Sequence, residues 1–163
     1  MASGDSLCFW SALENMPPST GYATTVGSSN GDLVLDFNAS GEAAVFRGLM
    51  PRNYTGVTGV TAAIHWTKTT TSTGTVAWVV YYERGNDLNN AFGTDNFAAC
   101  QQSAATAATS TSLQWVTTTI ASTGGTPISS IAAGDLFRIR VNAGSSDSNA
   151  GHRRIAGIEL KET

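Results

Sequence analysis

The sequence predicts an all-β protein built as an antiparallel β-sandwich, with an eight-stranded jelly roll as its simplest form. Eight β-rich segments recur about every ten residues, and turn residues separate them. No segment combines the length and the periodicity of a long helix. Ala, Gly, Ser and Thr supply 78 of the 163 residues, and the many threonines suit exposed strand faces because Thr is β-branched and polar.

The first three predicted strands alternate in polarity and end at turn residues. In residues 32–38 large apolar side chains occupy every second position, residues 42–50 end at Pro51, and residues 57–68 lead into a loop rich in Thr. Leu33, Leu35 and Phe37 share one face of the first segment, and Val60, Ala62, Ile64 and Trp66 share one face of the third. Ala44 and Phe46 of the second segment are expected to point inward.

The other five predicted strands complete the sandwich. Residues 75–84 are apolar on both faces, which is typical of a central strand covered on each side. Residues 97–103 and 113–120 flank a low-complexity stretch, and residues 136–141 and 155–161 close the fold. Phe137, Ile139 and Val141 are expected to point inward, and Ile158 and Leu160 share one face of the last segment. In residues 75–84, Val76, Trp78, Val80 and Tyr82 share one face, but the opposite face is also apolar, so the sequence leaves open which of the two is core.

Residues 1–30 precede the first clear strand and predict an N-terminal arm beside a sandwich domain at 31–163. The large apolar side chains of the arm are Leu7, Phe9, Trp10, Leu13, Met16 and Tyr22. An arm this apolar is expected to pack on the domain or on a neighbouring chain. We favour a neighbouring chain, in which case deleting residues 1–30 leaves the sandwich folded.

Composition and motifs argue against an enzyme. Charged residues make up 13% of the chain and there are two histidines, and no pattern of metal ligands is present. Gly4–Leu7 spells the G-D-S-L of a hydrolase family, but only three residues precede it, and no Asp lies three residues before His65 or His152. We therefore expect no catalytic residue, no cofactor and no metal ion.

Charge and hydropathy also limit the partners. A net charge of −3 argues against nucleic acid. The chain has no apolar run long enough to cross a membrane, and its N-terminus lacks the pattern of a secretory signal, so synthesis in the cytoplasm is expected.

Arginine outnumbers lysine by seven to two, and arginine and aromatic residues are enriched at protein interfaces. Solvated strand faces with local carboxylate partners explain the same arginines equally well. The interface candidates are Leu7, Phe9, Trp10, Leu13, Arg52, Tyr54, Arg153 and Arg154.

Four segments carry a resemblance to a known group: Val45–Tyr54, Ile64–Trp66, Gly74–Trp78 and Ala133–Arg140. Across residues 32–161 the pattern resembles small jelly-roll virion proteins of tailed bacteriophages, including capsid cement and decoration proteins. The resemblance implies a non-enzymatic, often trimeric protein on the outside of an icosahedral head. The chain is therefore expected to bind the major capsid protein as a homotrimer in the virion, after synthesis in the host cytoplasm.

The alternative function is a binding module, either a phage tail-fibre domain or a carbohydrate-binding β-sandwich. Such a module needs an exposed aromatic platform or a polar groove, and the loop at residues 86–96 could supply one.

Overall fold

A computed structural model of the chain confirms the antiparallel β-sandwich. It describes residues 4–27, 31–55, 59–71, 73–84, 97–102, 106–107, 114–122, 131–144 and 151–163. Within these ranges no helix is long and apolar enough to cross a membrane.

The described residues form twelve strands and one short 3-10 turn, Ala12–Glu14. The strands are β1 Ser6–Ser11, β2 Thr24–Gly27, β3 Leu33–Phe37, β4 Ala43–Leu49, β5 Val60–Lys68, β6 Thr75–Val76, β7 Trp78–Arg84, β8 Ala98–Gln102, β9 Thr106–Ala107, β10 Val116–Ser122, β11 Leu136–Ala143 and β12 Arg153–Glu162.

The eight predicted strands are all present, and their order is that of a jelly roll. The larger sheet contains the order β10-β5-β12-β3, and the smaller sheet has the order β4-β11-β7-β8. Along the chain these eight strands alternate between the two sheets, except that β7 and β8 are neighbours in one sheet. The strand count exceeds eight because β1 and β2 of the arm extend the larger sheet and because β6 and β9 form a separate ribbon.

The core lies between the two sheets, where the predicted inward faces meet. Trp66 of the larger sheet and Trp78 of the smaller one are fully buried in a T-shaped pair, with ring centroids 6.2 Å apart. Phe37 packs edge-on against Trp78 at 5.2 Å. Leu35 and Phe37 are fully buried, whereas Leu33, predicted on the same face, begins β3 and is 42% exposed.

The first part of the arm belongs to the sandwich itself. β1 pairs antiparallel with β12, and Trp10 is 4% exposed. The Trp10 ring lies 6.0 Å from Phe46 and 5.8 Å from Phe137, both in the smaller sheet. These residues therefore pack on the sandwich of their own chain, one of the two arrangements expected for the arm, and Trp10 fills part of the core.

The rest of the arm covers the open edge of β4. Met16 donates its backbone N–H to Val45 O at 2.7 Å, and the Asn15 side chain accepts a hydrogen bond from Val45 N at 2.9 Å. Farther along, Ala23 N donates to Ala43 O at 2.9 Å. These contacts satisfy backbone groups that an edge strand would otherwise expose.

Candidate ligand groove

A groove lies on the outer face of the smaller sheet, between that sheet and the arm. It has a volume of about 350 Å³. Its lining residues are Met16, Pro17, Pro18, Ser19, Val45, Arg47, Phe97 and Arg138. The groove thus combines parts of the arm, β4, β11 and the residue that precedes β8.

The register of the sheet explains why arginines form its floor. Arg138 of β11 lies directly opposite Arg47 of β4 on one side and opposite Glu83 of β7 on the other. Arg140 lies two residues farther along β11, opposite Val45 of β4 and Tyr81 of β7. Alternation along the strand places it on the same face as Arg138. The inward neighbours Phe137 and Ile139 are buried in the core, so alternation turns the arginines outward.

Aromatic rings hold two of these guanidinium groups in place. The Arg138 and Arg140 guanidinium carbons lie 5.1 Å and 5.9 Å from the centre of the Phe97 ring, and Arg140 also lies 5.6 Å from the Tyr81 ring. Such cation–π contacts are attractive by about 0.5–1 kcal/mol at exposed sites. Arg140 Nε also donates to Asn142 Oδ1 at 2.9 Å, which fixes the direction of its side chain.

Glu83 contributes a carboxylate to this face, opposite Arg138. Glu83 and Arg138 form an ion pair in which Arg138 Nε and Nη2 both approach Glu83 Oε2. Both side chains are about one fifth exposed, so the pair is less screened than an ion pair in full solvent.

Two prolines make the wall formed by the arm stiff. Pro17 and Pro18 follow Met16, whose backbone is hydrogen-bonded to β4. Proline fixes φ near −65°, so this segment has few conformations to lose when a ligand binds. Trp10 supports the same region from below, because its indole N–H donates to the backbone oxygen of Arg47 at 2.8 Å.

The groove has the properties of a ligand site. Its volume falls in the range of about 300–1,000 Å³ that is usual for small-molecule sites, and it combines rigid apolar groups with a few donors. The donors are guanidinium groups, which offer several N–H bonds in a fixed plane to oxygen atoms of a ligand.

The arm residues predicted as interface candidates lie on opposite faces of β1 and in the turn that follows it. Leu7 and Trp10 are buried in the sandwich, whereas Phe9 is 59% exposed and Leu13 is 71% exposed. Phe9 packs over Gly157 of β12 on the outer face of the larger sheet. Burial therefore leaves Phe9 and Leu13, and not Trp10, accessible on the arm.

The other four candidates are spread over the molecule. Tyr54 is buried, and its pKa is raised by this burial and, to a smaller extent, by the carboxylate of Glu162. Arg52 is exposed near Tyr54, and Arg153 is buried. Arg154 Nε donates to Asp36 Oδ1 at 3.0 Å. None of the eight candidates lines the groove.

Part of the groove could be predicted from the sequence. Alternation over residues 136–141 places Arg138 and Arg140 outward. The register that sets Arg47 opposite Arg138 depends on a pairing between strands some 90 residues apart in the chain, which no local pattern reveals. The predicted binding loop at residues 86–96 lies outside the described residues.

A second polar cluster lies on the outer face of the larger sheet, centred on Glu159. Ser6 Oγ donates to Glu159 Oε1 at 2.5 Å, Lys161 Nζ lies 3.1 Å from Oε2, and His65 Nε2 lies 3.6 Å from it. These contacts, of which the Ser6 hydrogen bond is the strongest, hold the pKa of Glu159 below its ordinary value against a smaller opposing effect of burial. Among the described residues, no group of three or more His, Cys, Asp or Glu side chains could hold a metal ion.

No family model matches the sequence, and a search of curated proteins gave no match. Solved structures are similar in fold. The chain superposes on the CBM22-1 xylan-binding domain of Paenibacillus barcinonensis Xyn10C with a TM-score of 0.53 and 11% identity, over 99% of this chain and 96% of that one. CBM35 from Cellvibrio japonicus Abf62 gives a TM-score of 0.57 and 12% identity, over 95% and 92%.

A third similar structure was solved with a sugar bound. CsCBM6-3 from Clostridium stercorarium, in complex with cellobiose, gives a TM-score of 0.54 and 8% identity, over 99% of this chain and 98% of that one. At these identities the likeness establishes the fold: the chain is a β-sandwich of the architecture that these carbohydrate-binding modules share.

Proposed function

We propose that this protein is a non-catalytic carbohydrate-binding β-sandwich module whose ligand lies in the groove on the smaller sheet. A carbohydrate-binding β-sandwich is one of the alternatives that the sequence leaves open. The single observation that carries it is the groove itself, in which the Phe97 ring and the Pro17–Pro18 wall lie beside fixed guanidinium donors.

The groove chemistry suits a sugar. A pyranose ring presents C–H groups on its faces and hydroxyl groups around its rim, so it needs a flat apolar partner and laterally placed hydrogen-bonding groups. Phe97 supplies the apolar surface, and Arg47 and Arg138 supply the donors. The similar fold of a xylan-binding domain and of a module solved with cellobiose supports the same proposal.

The experiment is native affinity electrophoresis in gels that contain soluble xylan, β-glucan, mannan or polygalacturonate. We expect at least one polysaccharide to retard the protein, and Phe97→Ala to weaken this binding at least tenfold. Phe9→Ala is the matched control, because Phe9 is an exposed Phe on the other sheet. If the two variants were retarded equally, the groove would not be the binding site. If no polysaccharide retarded the wild type, the proposed function would be contradicted.

The virion role is a second candidate, supported by the exposed apolar side chains of the arm. Phe9 and Leu13 are more than half exposed, which leaves both side chains available for a subunit contact. In this proposal a homotrimer forms through these residues and binds a major capsid protein on a phage head.

Sedimentation equilibrium tests this second candidate. A trimer for the wild type and a monomer for the Phe9→Ser, Leu13→Ser double variant would support it. A wild-type monomer at about 100 μM, a concentration that populates interactions with Kd values well below it, would contradict it.

A further inference from the structure

We infer that the protein has a second glycan-binding surface, centred on Trp115 on the outer face of the larger sheet, and that its ligand there is a neutral polysaccharide. The inference goes beyond the proposed function, because the groove lies on the smaller sheet, on the opposite side of the sandwich. A module with both sites binds two polysaccharide chains, or two segments of one chain, at once.

Trp115 differs in exposure from the other tryptophans of the chain. All four lie within the described residues; Trp10, Trp66 and Trp78 are buried, whereas Trp115 is 50% exposed. The indole ring is among the largest flat apolar surfaces that a side chain offers. An exposed ring of this kind can stack on the C–H face of a pyranose.

Alternation along β10 turns Trp115 toward the outer face of the sheet. Thr118 and Ile120 are buried, whereas Thr117 and Thr119 are exposed. Because Trp115 lies two residues before Thr117, its side chain is on the same face as the two exposed threonines.

The backbone on both sides of Trp115 is held to β5. Thr67 Oγ1 donates to the backbone oxygen of Gln114 at 2.9 Å, and Val116 pairs with Trp66 in the antiparallel register. The ring therefore projects from a fixed point of the sheet, so little backbone freedom is lost when a ligand binds.

Hydrogen-bonding side chains lie on the same face beside Trp115. Thr117 is opposite His65 in the register, and its Oγ1 lies 3.0 Å from His65 Nδ1. A hydroxyl group has one donor and two acceptor positions, so this contact leaves Thr117 able to bond to a sugar hydroxyl, and Thr119 adds a second exposed hydroxyl. Same-face residues of one strand are about 6.6–6.8 Å apart, which puts the Thr117 hydroxyl within reach of a sugar that lies on the indole.

The charges on this face are paired with each other, which favours an uncharged ligand. Glu159 Oε2 lies 3.1 Å from Lys161 Nζ, and Arg154 donates to Asp36 at 3.0 Å. A protein partner would bury Trp115 in a ring of contacts that exclude water, whereas hydroxyl groups and paired charges lie on this face. A neutral polysaccharide matches both the flat ring and the hydroxyl groups.

The experiment is iodide quenching of tryptophan fluorescence in Phe97→Ala, a variant that lacks the apolar surface of the groove. Because Trp115 is the exposed tryptophan, it accounts for most of the quenching. Soluble xylan, β-glucan and mannan are added in turn. We expect at least one of them to lower the quenching constant at least twofold.

Native affinity electrophoresis with the same polysaccharide connects binding to Trp115. In the Phe97→Ala background, Trp115→Ala should weaken binding at least tenfold and Thr117→Val at least threefold. Phe9→Ala is the matched control, because Phe9 is an exposed aromatic residue on the same face, three strands away from β10. It should leave binding within twofold, and circular dichroism melting establishes that each variant is folded.

The outcomes separate this surface from the groove. If Phe97→Ala bound no polysaccharide that the wild type binds, the second surface would be refuted and the groove would stand. If Trp115→Ala and Phe9→Ala weakened binding equally, Trp115 would not be the site. If Phe97→Ala bound as tightly as the wild type and Trp115→Ala did not bind, the second surface would be supported and the groove contradicted. Failure of the wild type to bind any of the three would refute both sites.

Discussion

Gly48 of β4 shows how closely single residues fit in this sandwich. A Cβ atom added there would lie 2.6 Å from Phe137 Cζ and 2.8 Å from Trp10 Cζ2, and both rings are buried. Gly48→Ala should therefore lower the free energy of unfolding by about 1–3 kcal/mol, the usual effect of overpacking a core. Urea denaturation followed by tryptophan fluorescence measures the change.

Gly27 of β2 is the matched control for this prediction. A Cβ atom there would meet nothing within 4 Å, so Gly27→Ala should leave stability within about 0.5 kcal/mol of the wild type. If the two variants were equally stable, the close packing of Trp10 over Gly48 would be contradicted.

Ser6 makes the stability contribution of Glu159 depend on pH. Because the pKa of Glu159 is lowered in the folded chain, chiefly by the Ser6 hydrogen bond, its charged form stabilises the fold. This contribution is complete above the ordinary pKa of a glutamate and is lost as the pH falls through the lowered value. Ser6→Ala should raise the pKa of Glu159 toward its ordinary value, which carboxyl NMR titration measures.

The same variant should lower the free energy of unfolding by about 0.5–1 kcal/mol at pH 7, since Ser6 is exposed and the Glu159 side chain is 20% exposed. The difference from the wild type should shrink as the pH approaches 3. A constant difference across that pH range would show that Ser6 acts through packing and not through the charge of Glu159.

At the scale of one element, β1 has a buried face and an exposed face that make different predictions. Trp10 faces the core at 4% exposure, and Phe9 faces solvent at 59%. Trp10→Ala should reduce the free energy of unfolding by about 3–5 kcal/mol, whereas Phe9→Ala should cost less than about 1 kcal/mol. Equilibrium denaturation of both variants measures the difference, and similar losses would contradict the orientation of β1.

The strands of the core could be predicted from the sequence because alternation is local. Phe137 and Ile139 lie on one face of their segment whatever their partners are, and both are buried. The arm could not be placed in this way. Trp10 is in the core because Phe46 and Phe137 leave room for its ring, and those residues come from strands far away in the chain.

The groove as a whole could not be predicted from the sequence, for the same physical reason. Outward alternation of Arg138 was visible, but its neighbours Arg47 and Glu83 come from two other strands. The wall at Pro17–Pro18 depends on the hydrogen bonds that hold the arm along β4. A ligand site assembled from four segments becomes visible only when register and edge contacts are known.

At the scale of the whole molecule, the groove joins the arm to the sandwich, so ligand binding should stabilise the complete fold. Residues of the arm, β4 and β11 all line it, and these contacts are lost on unfolding. A ligand present at 100 times its Kd stabilises a protein by about 2.7 kcal/mol. For a chain of this size, 1 kcal/mol raises Tm by about 2–4 °C, so a bound polysaccharide should raise Tm by roughly 5–10 °C.

Differential scanning calorimetry with increasing polysaccharide tests this coupling. The Tm of Phe97→Ala should respond only at ligand concentrations at least tenfold higher, whereas Phe9→Ala should follow the wild type. Because Trp10 donates to the backbone of Arg47 and packs below the groove, Trp10→Ala should also weaken the response while lowering Tm in the absence of ligand. A ligand-induced shift that is the same in Trp10→Ala and in the wild type would show that the groove forms without the support of the arm.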